Sequence, residues 1–165
     1  MLPIHTILHP TDFSKASEFA LQMASALARD YGARLVVLHV AQVPTMIYSE
    51  GIIPPDPEMF YQQEKDQLQR LQIKSANVRA ERRFEKGDPD TTILDVAQEI
   101  KADMIVMGTH GRRGLTRVLM GSVAEQVVRR ATCPVLTVRI PVPERVLTTK
   151  PVEQPAALNL ENLPT

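Results

Sequence analysis

The run Arg34-Leu-Val-Val-Leu-His-Val40 constrains the fold more than any other stretch of the chain. A continuous apolar strand of this kind needs cover on both faces, which is the environment of a parallel sheet layered between helices. Asp103-Met-Ile-Val-Met107 reads as a second such strand. Upstream, Ile4-His-Thr-Ile-Leu-His9 is a short β-type run, expected to end at Pro10-Thr11-Asp12 because proline cannot donate to a continuing ladder. Ser14 then offers an N-cap, and Ala16, Phe19, Ala20, Met23, Ala24 and Leu27 follow at helical spacing up to the stop signal Gly32. Strand, helix and strand within residues 4–40 make a βαβ unit.

From Ala41 to about Pro57 the chain is irregular, with Pro44, Gly51, Pro54, Pro55 and Pro57. A long loop after a strand is either functional or simply a connection. Glu58 to about Ser75 reads as a polar helix with a thin stripe at Phe60, Leu68 and Leu71. Val78–Phe84 alternates loosely, as suits a strand near the sheet edge. Asp88 is placed to cap a helix and Pro89 to occupy its first position. Ile93, Val96, Ala97 and Ile100 give that helix its buried stripe. Pro134–Arg139 is a fifth strand. Past Ile140 the character changes: Pro141, Pro143, Pro151, Pro155 and Pro164 punctuate a stretch with little periodicity. The expected architecture is one α/β domain over residues 1–140, a doubly wound five-stranded sheet with helices on both faces. Residues 141–165 are expected to be an extended or disordered tail.

Composition narrows the function. The 165 residues carry 19 basic and 19 acidic side chains, so no basic excess favours a nucleic-acid partner. Trp is absent and aromatics are 4%, which argues against a stacking platform for single strands. No apolar run approaches membrane-spanning length, and the first residues lack a basic start followed by an apolar segment. A cytoplasmic protein is expected, and the single cysteine, Cys133, agrees with a reducing compartment.

The stretch with the most chemistry is Gly108-Thr-His-Gly111-Arg-Arg-Gly114-Leu-Thr-Arg-Val-Leu-Met-Gly121-Ser122-Val123, between the strand at 103–107 and a helix with a stripe at Val123, Ala124, Val127, Val128 and Ala131. Glycines admit close backbone approach to a ligand, and a helix start adds unpaired N–H donors, a combination that favours phosphate. Ser122 is expected at the N-cap, with Glu125 three residues later completing a capping box. The same pattern also serves to turn the chain. It is neither Gly-x-Gly-x-x-Gly nor a loop closed by Gly-Lys-Ser/Thr, so hydride chemistry and Walker-type hydrolysis lose support. In open parallel sheets, ligands lie beyond the carboxyl ends of the strands. Asp12, Val40 and the Gly108 loop all fall there, and adjacency of the first and fourth strands would set Asp12 opposite Gly108.

The chain resembles the universal stress protein family over residues 3–139. The resemblance is carried by Ile7-Leu-His-Pro10-Thr11-Asp12-Phe13-Ser14, Leu38-His39-Val40, Gly87-Asp88-Pro89, Cys133-Pro134-Val135 and, most specifically, Gly108-x-x-Gly111 followed after nine residues by Gly121-Ser122. That last pattern is similar to the signature of the ATP-binding branch. The resemblance implies an adenine nucleotide alpha-hydrolase-like sheet of order 3-2-1-4-5, binding ATP, ADP or AMP. It implies Asp12 beside the adenosine with Pro10 and Thr11 on the wall, and Val40 reading the adenine edge through its backbone. Met107 and Gly108 would lie near the ribose. Gly111, Gly121, Ser122 and Val123 would hold phosphates, with Thr109, His110 and Arg112 completing the lining. Mg²⁺ or Mn²⁺ would ride on the phosphates, and a homodimer would form through strand 134–139.

Several residues admit two readings. His110 invites a catalytic role, but with no nucleophile or acid nearby in sequence a positioning or exposed histidine fits better. Arg112, Arg113 and Arg117 either clamp a terminal phosphate or form an exposed basic loop. His9 and His39 read as packed strand histidines, His5 has no clear partner, and no metal site is indicated. Cys133 reads as a buried structural thiol. Met46-Ile-Tyr48 either covers the adenosine or merely connects. The leading function is a nucleotide-dependent binding module of stress response with at most slow ATP hydrolysis. Its rivals are an ATP-hydrolysing enzyme of the same fold and a nucleotide-independent interaction protein. No general base or dedicated metal carboxylates accompany the glycine loop, and neither a Ser-Gly-Gly-x-Asp-Ser nor a His-x-Gly-His motif occurs.

Overall fold

The computed structural model describes residues 3–42, 57–73, 75–109 and 121–140. These form, in chain order, β1 (Thr6–Thr11), α1 (Lys15–Tyr31), β2 (Arg34–Ala41), α2 (Pro57–Arg70), β3 (Arg79–Lys86), α3 (Pro89–Glu99), β4 (Met104–Gly108), α4 (Ser122–Arg130) and β5 (Val135–Val138). The five strands make one sheet of order β3-β2-β1-β4-β5, and every listed pair runs parallel. The doubly wound α/β sheet expected from the sequence is therefore present. Alternate residues of the strands supply two cores. Ile7, Leu35, Val37 and Val106 pack with α1 and with Leu68 of α2. Leu8, Val36, Leu38, Ile105 and Met107 pack with Ile93, Val96 and Ala97 of α3 and Ala124 and Val127 of α4.

Three expectations are corrected. The buried face of α1 is Ala16, Ser17, Ala20, Leu21, Ala24, Ser25 and Ala28. Phe19 and Met23, assigned to the stripe from spacing, are instead 37% and 43% exposed. The reason is close approach. A Cβ built on Gly108 would lie 2.9 Å from the Ala16 carbonyl carbon, so the first turn of α1 rests directly on the end of β4 and admits only small side chains there. Val128, also assigned to a buried stripe, is 46% exposed on α4. Finally, α2 ends at Arg70 and not near Ser75. The Arg82 guanidinium donates to the Leu68 and Leu71 carbonyls (3.2 and 2.8 Å) and so satisfies the chain end of the helix from the neighbouring strand. Of the expected α2 stripe, Leu68 is buried; Tyr61, which the spacing did not single out, is buried beside Phe84. The Phe60 side chain lies outside the described residues.

β1 also differs from expectation, because it continues through Pro10 to Thr11. Register explains how. The Thr6 carbonyl accepts from Asp103 at the start of β4, while the His5 carbonyl accepts from Arg34 of β2, so even residues of β1 face β4. With Leu8 opposite Ile105, the amide that Pro10 lacks would have served the Val106 carbonyl. His9 Nδ1 lies 2.8 Å from that oxygen and takes the place of the missing donor. This bond requires the proton on Nδ1, and Nε2 is buried without a hydrogen-bond partner. Burial, opposed by the bond to Val106, lowers the His9 pKa to about 4.

A pH dependence follows. The folded pKa lies below the model value of 6.5, so the unfolded chain takes up this proton first as the pH falls. The contribution is complete above pH 6.5 and shrinks toward pH 4, by about 3 kcal/mol over the interval. Denaturant titrations at pH 7 and pH 4.5 should show this loss in the wild type and a shallower one in His9→Asn, whose amide can still donate to Val106. Equal pH slopes in the two proteins would show that His9 is not the group responsible.

Candidate functional site

The carboxyl ends of β1, β2 and β4 meet at one rim of the sheet, and the start of α4 is fixed beside them. The Thr109 amide donates to the Val138 carbonyl of β5 (3.0 Å), and the Thr109 carbonyl accepts from Gly121 (2.7 Å). This pair of bonds closes the neck from which residues 110–120 leave and return. It sets the first turn of α4 at the end of β4. Gly108, Thr109, Gly121, Ser122 and Val123 are thus brought together, whereas His110, Gly111 and Arg112 lie outside the described residues, as do Met46–Tyr48.

The cap of α4 differs from the sequence reading. Gly121, not Ser122, is the N-cap, with φ −72° and ψ 155°, and its carbonyl accepts from the Glu125 amide at 2.9 Å. No side-chain cap bond forms, and the Glu125 carboxylate pairs with Arg129 (3.1 Å), so the expected capping box is not made. Ser122 is the first helical residue. Its hydroxyl is not used as a cap. The amides of Ser122, Val123 and Ala124 have no acceptor within the helix, as at any helix start. The Gly121 amide, by contrast, is already given to Thr109.

Across the crevice, β1 passes into α1 through a tight turn. Asp12 Oδ1 accepts from the Ser14 amide (3.1 Å) and hydroxyl (2.7 Å), and Ser14, as the N-cap, accepts from Ser17 (3.2 Å). Thr11 Oγ1 accepts from the Phe13 amide and from the Ser17 hydroxyl (2.6 Å), so the Thr11 hydroxyl is engaged inside the turn. Phe13 has φ +62°, an unusual left-handed conformation for a bulky residue. It stacks on His39 with ring centroids 4.3 Å apart.

The pairing of Thr11 with His39 turns the Val40 amide toward the Thr11 carbonyl and directs the Val40 carbonyl past the last paired residue of β1. Met107 is buried in the core on the α3–α4 face, and Pro10 is buried within β1. Among the described residues no group of three or more His, Cys, Asp or Glu side chains is placed to hold a metal ion. A cleft of about 540 Å³ lies elsewhere, between α1 and α2, lined by Glu18, Gln22, Ser25, Gln67 and Arg70.

A family model described as "Universal stress protein family" matches residues 3–139. The chain belongs to the universal stress protein family. The universal stress protein MJ0531 of Methanocaldococcus jannaschii is 34% identical over 139 residues, covering 82% of each chain. The structure of the universal stress protein UspA from Lactobacillus plantarum superposes with a TM-score of 0.74 at 27% identity, covering 84% of this chain and all of the other. A universal stress protein crystallised in complex with cAMP gives 0.58 at 27% identity, over 82% of this chain and 97% of its own. No helix among the described residues is long and apolar enough to cross a membrane.

The sequence reading passed over what the two buried histidines do. The signal was present for His9, because a proline inside a paired strand leaves a carbonyl that some neighbouring donor must serve. For His39 it was not, since its partners Thr11 and Glu64 are distant in sequence.

Proposed function

We propose that this universal stress protein binds an adenine nucleotide at the carboxyl rim of the sheet, ATP being the leading candidate, and works as a nucleotide-dependent module of stress response. The observation that carries the reading is the Thr109–Gly121 bond, which holds the first amides of α4 where a phosphate would reach them from the crevice beside β1. The family relative solved with cAMP supports an adenine nucleotide as the ligand class. In this reading Ser122 and Val123 donate to phosphate, and Asp12 and the Val40 carbonyl face the adenosine. Mg²⁺ or Mn²⁺ travels with the nucleotide, held by its phosphate oxygens. Hydrolysis is slow at most, as no general base stands among the site residues described.

Residues 1–140 carry the binding domain and 141–165 a dispensable tail in a cytoplasmic homodimer paired through strand 134–139. Pairing there would cover a strand edge that is otherwise open.

Denaturing the purified protein and chromatographing the supernatant should release ATP, ADP or AMP. An empty protein that also fails to take up ATP at saturating concentration would sink the reading. Truncation after Ile140 should leave nucleotide affinity within about twofold, equivalent to about 0.4 kcal/mol. A large loss would place the tail in the site.

A further inference from the structure

We propose that His39 and Glu64 couple α2 to the turn at Thr11–Asp12–Phe13, so that occupation of the nucleotide rim and ordering of α2 depend on each other. The inference rests on the nucleotide reading for its ligand, but its geometry is independent of it.

His39 is 3% exposed, and its Nδ1 lies 2.8 Å from the Thr11 carbonyl. A carbonyl only accepts, so Nδ1 carries the proton. On the far side of the ring, Nε2 faces Glu64 Oε2 of α2 at 3.4 Å without forming a hydrogen bond; with one proton already on Nδ1, the two atoms attract only when a second proton lies between them. His9 supplies the internal control. It serves a ladder carbonyl through Nδ1 in the same way, and Asp12 acts on its ring electrostatically without a hydrogen bond to Nε2. An acid opposite the second nitrogen is therefore not needed for carbonyl service. At His39 it adds a link to another element.

The remaining contacts of that element converge on the same place. Tyr61 of α2 meets Phe84 edge-on at 6.2 Å, and Lys65 Nζ lies 5.4 Å from the Phe84 ring, which is itself 5.8 Å from His39. Lys86 of β3 pairs with Glu58 (3.0 Å) and sits 4.1 Å from the Tyr61 ring.

On the other side, the His39 ring supports Phe13, whose left-handed backbone is unfavourable for a bulky residue and must be held by its surroundings. Asp12 lies between Thr11 and Phe13, so both residues flanking the candidate adenosine carboxylate are in contact with His39. A displacement of α2 reaches the turn through one side chain. Coupling of this kind is reciprocal: whatever nucleotide does to α2, freeing α2 does to nucleotide affinity.

The test uses the full chain, with ATP affinity measured by calorimetry and amide hydrogen exchange followed over residues 57–70. In the wild type, ATP should slow exchange in α2. Glu64→Ala and His39→Asn, the latter keeping a donor toward Thr11 while losing reach to Glu64, should raise the Kd about tenfold and make α2 exchange indifferent to ATP. Glu64→Gln, whose side-chain amide can donate to Nε2, should recover part of both effects. Glu64→Ala decides alone if the buried His39 variant fails to fold. Wild-type affinity and α2 response in Glu64→Ala would overturn the coupling, as would ATP binding that leaves wild-type α2 unchanged. Should the wild type bind no adenine nucleotide, the functional reading fails and the coupling is judged without ligand. Faster amide exchange at Phe13–Ser17 in Glu64→Ala then supports it, and unchanged exchange overturns it.

Discussion

Replacing Gly108 with alanine should lower the melting temperature by roughly 5–10 °C, the equivalent of about 2–3 kcal/mol for a domain of this size. The added methyl would meet the Ala16 carbonyl carbon at 2.9 Å, the Ala16 oxygen at 3.1 Å and the Ser17 nitrogen at 3.1 Å. All three are backbone atoms in the first turn of a 17-residue helix, so no side chain can swing aside. Relief requires α1 to lift from the end of β4, which also loosens the core around Ala20 and Ala24. Scanning calorimetry of the purified variant measures the effect. An unchanged transition would mean that α1 is not seated on Gly108. The sequence invited a ligand-binding role for this glycine; the structure gives it a packing role whether or not nucleotide is bound.

Gly121→Val should have the opposite profile. Its φ and ψ are open to any L-residue, so the cost to folding is the loss of a favourable N-cap, about 1 kcal/mol. The effect on ATP should be far larger, roughly a 100-fold loss of affinity or about 2.8 kcal/mol. An isopropyl group at the helix entrance would fill the space where phosphate meets the Ser122 and Val123 amides, leaving charge-assisted bonds unmade. Calorimetric titration, with circular dichroism to confirm the fold, separates the two effects. Retained affinity would remove α4 from the site. The two glycines at either end of one loop are thus expected to fail differently, one in stability and one in binding.

The layering was legible because it rests on local signals, apolar runs at Arg34–Val40 and Asp103–Met107 and caps at Ser14 and Asp88, whereas the strand order came from the family resemblance alone. The misreadings share a physical cause. Phe19 and Met23 fit helical spacing as well as Ala16 and Ala20 do, and only the distance between α1 and β4 chooses between them. Pro10 looked like a terminator because a proline breaks a ladder; that β1 continues depends on the ring of His9, in the same strand, standing in for the missing amide toward the Val106 carbonyl of β4. Ser122 is a better N-cap residue than glycine, but the Thr109–Gly121 bond fixes where the helix begins. The Gly121–Ser122 pair was found by pattern alone, and its geometry, with one amide spent and the next ones presented, came only from the fold.

The two borders of the sheet are unlike. Along β3 stand Arg79, Glu81, Arg82, Arg83, Glu85 and Lys86, several already bound to neighbours, and a strand approaching that side must strip water from them. Along β5 run Val135, Leu136, Thr137 and Val138, without a charge. Strand addition is thereby disfavoured at β3, and in the proposed homodimer a second copy joining at β5 by a twofold axis would use the uncharged border. A pair closed in that way would have no second uncharged border to extend into a fibre, so the charge on β3 would serve as a safeguard against polymerisation as much as a surface for solvent.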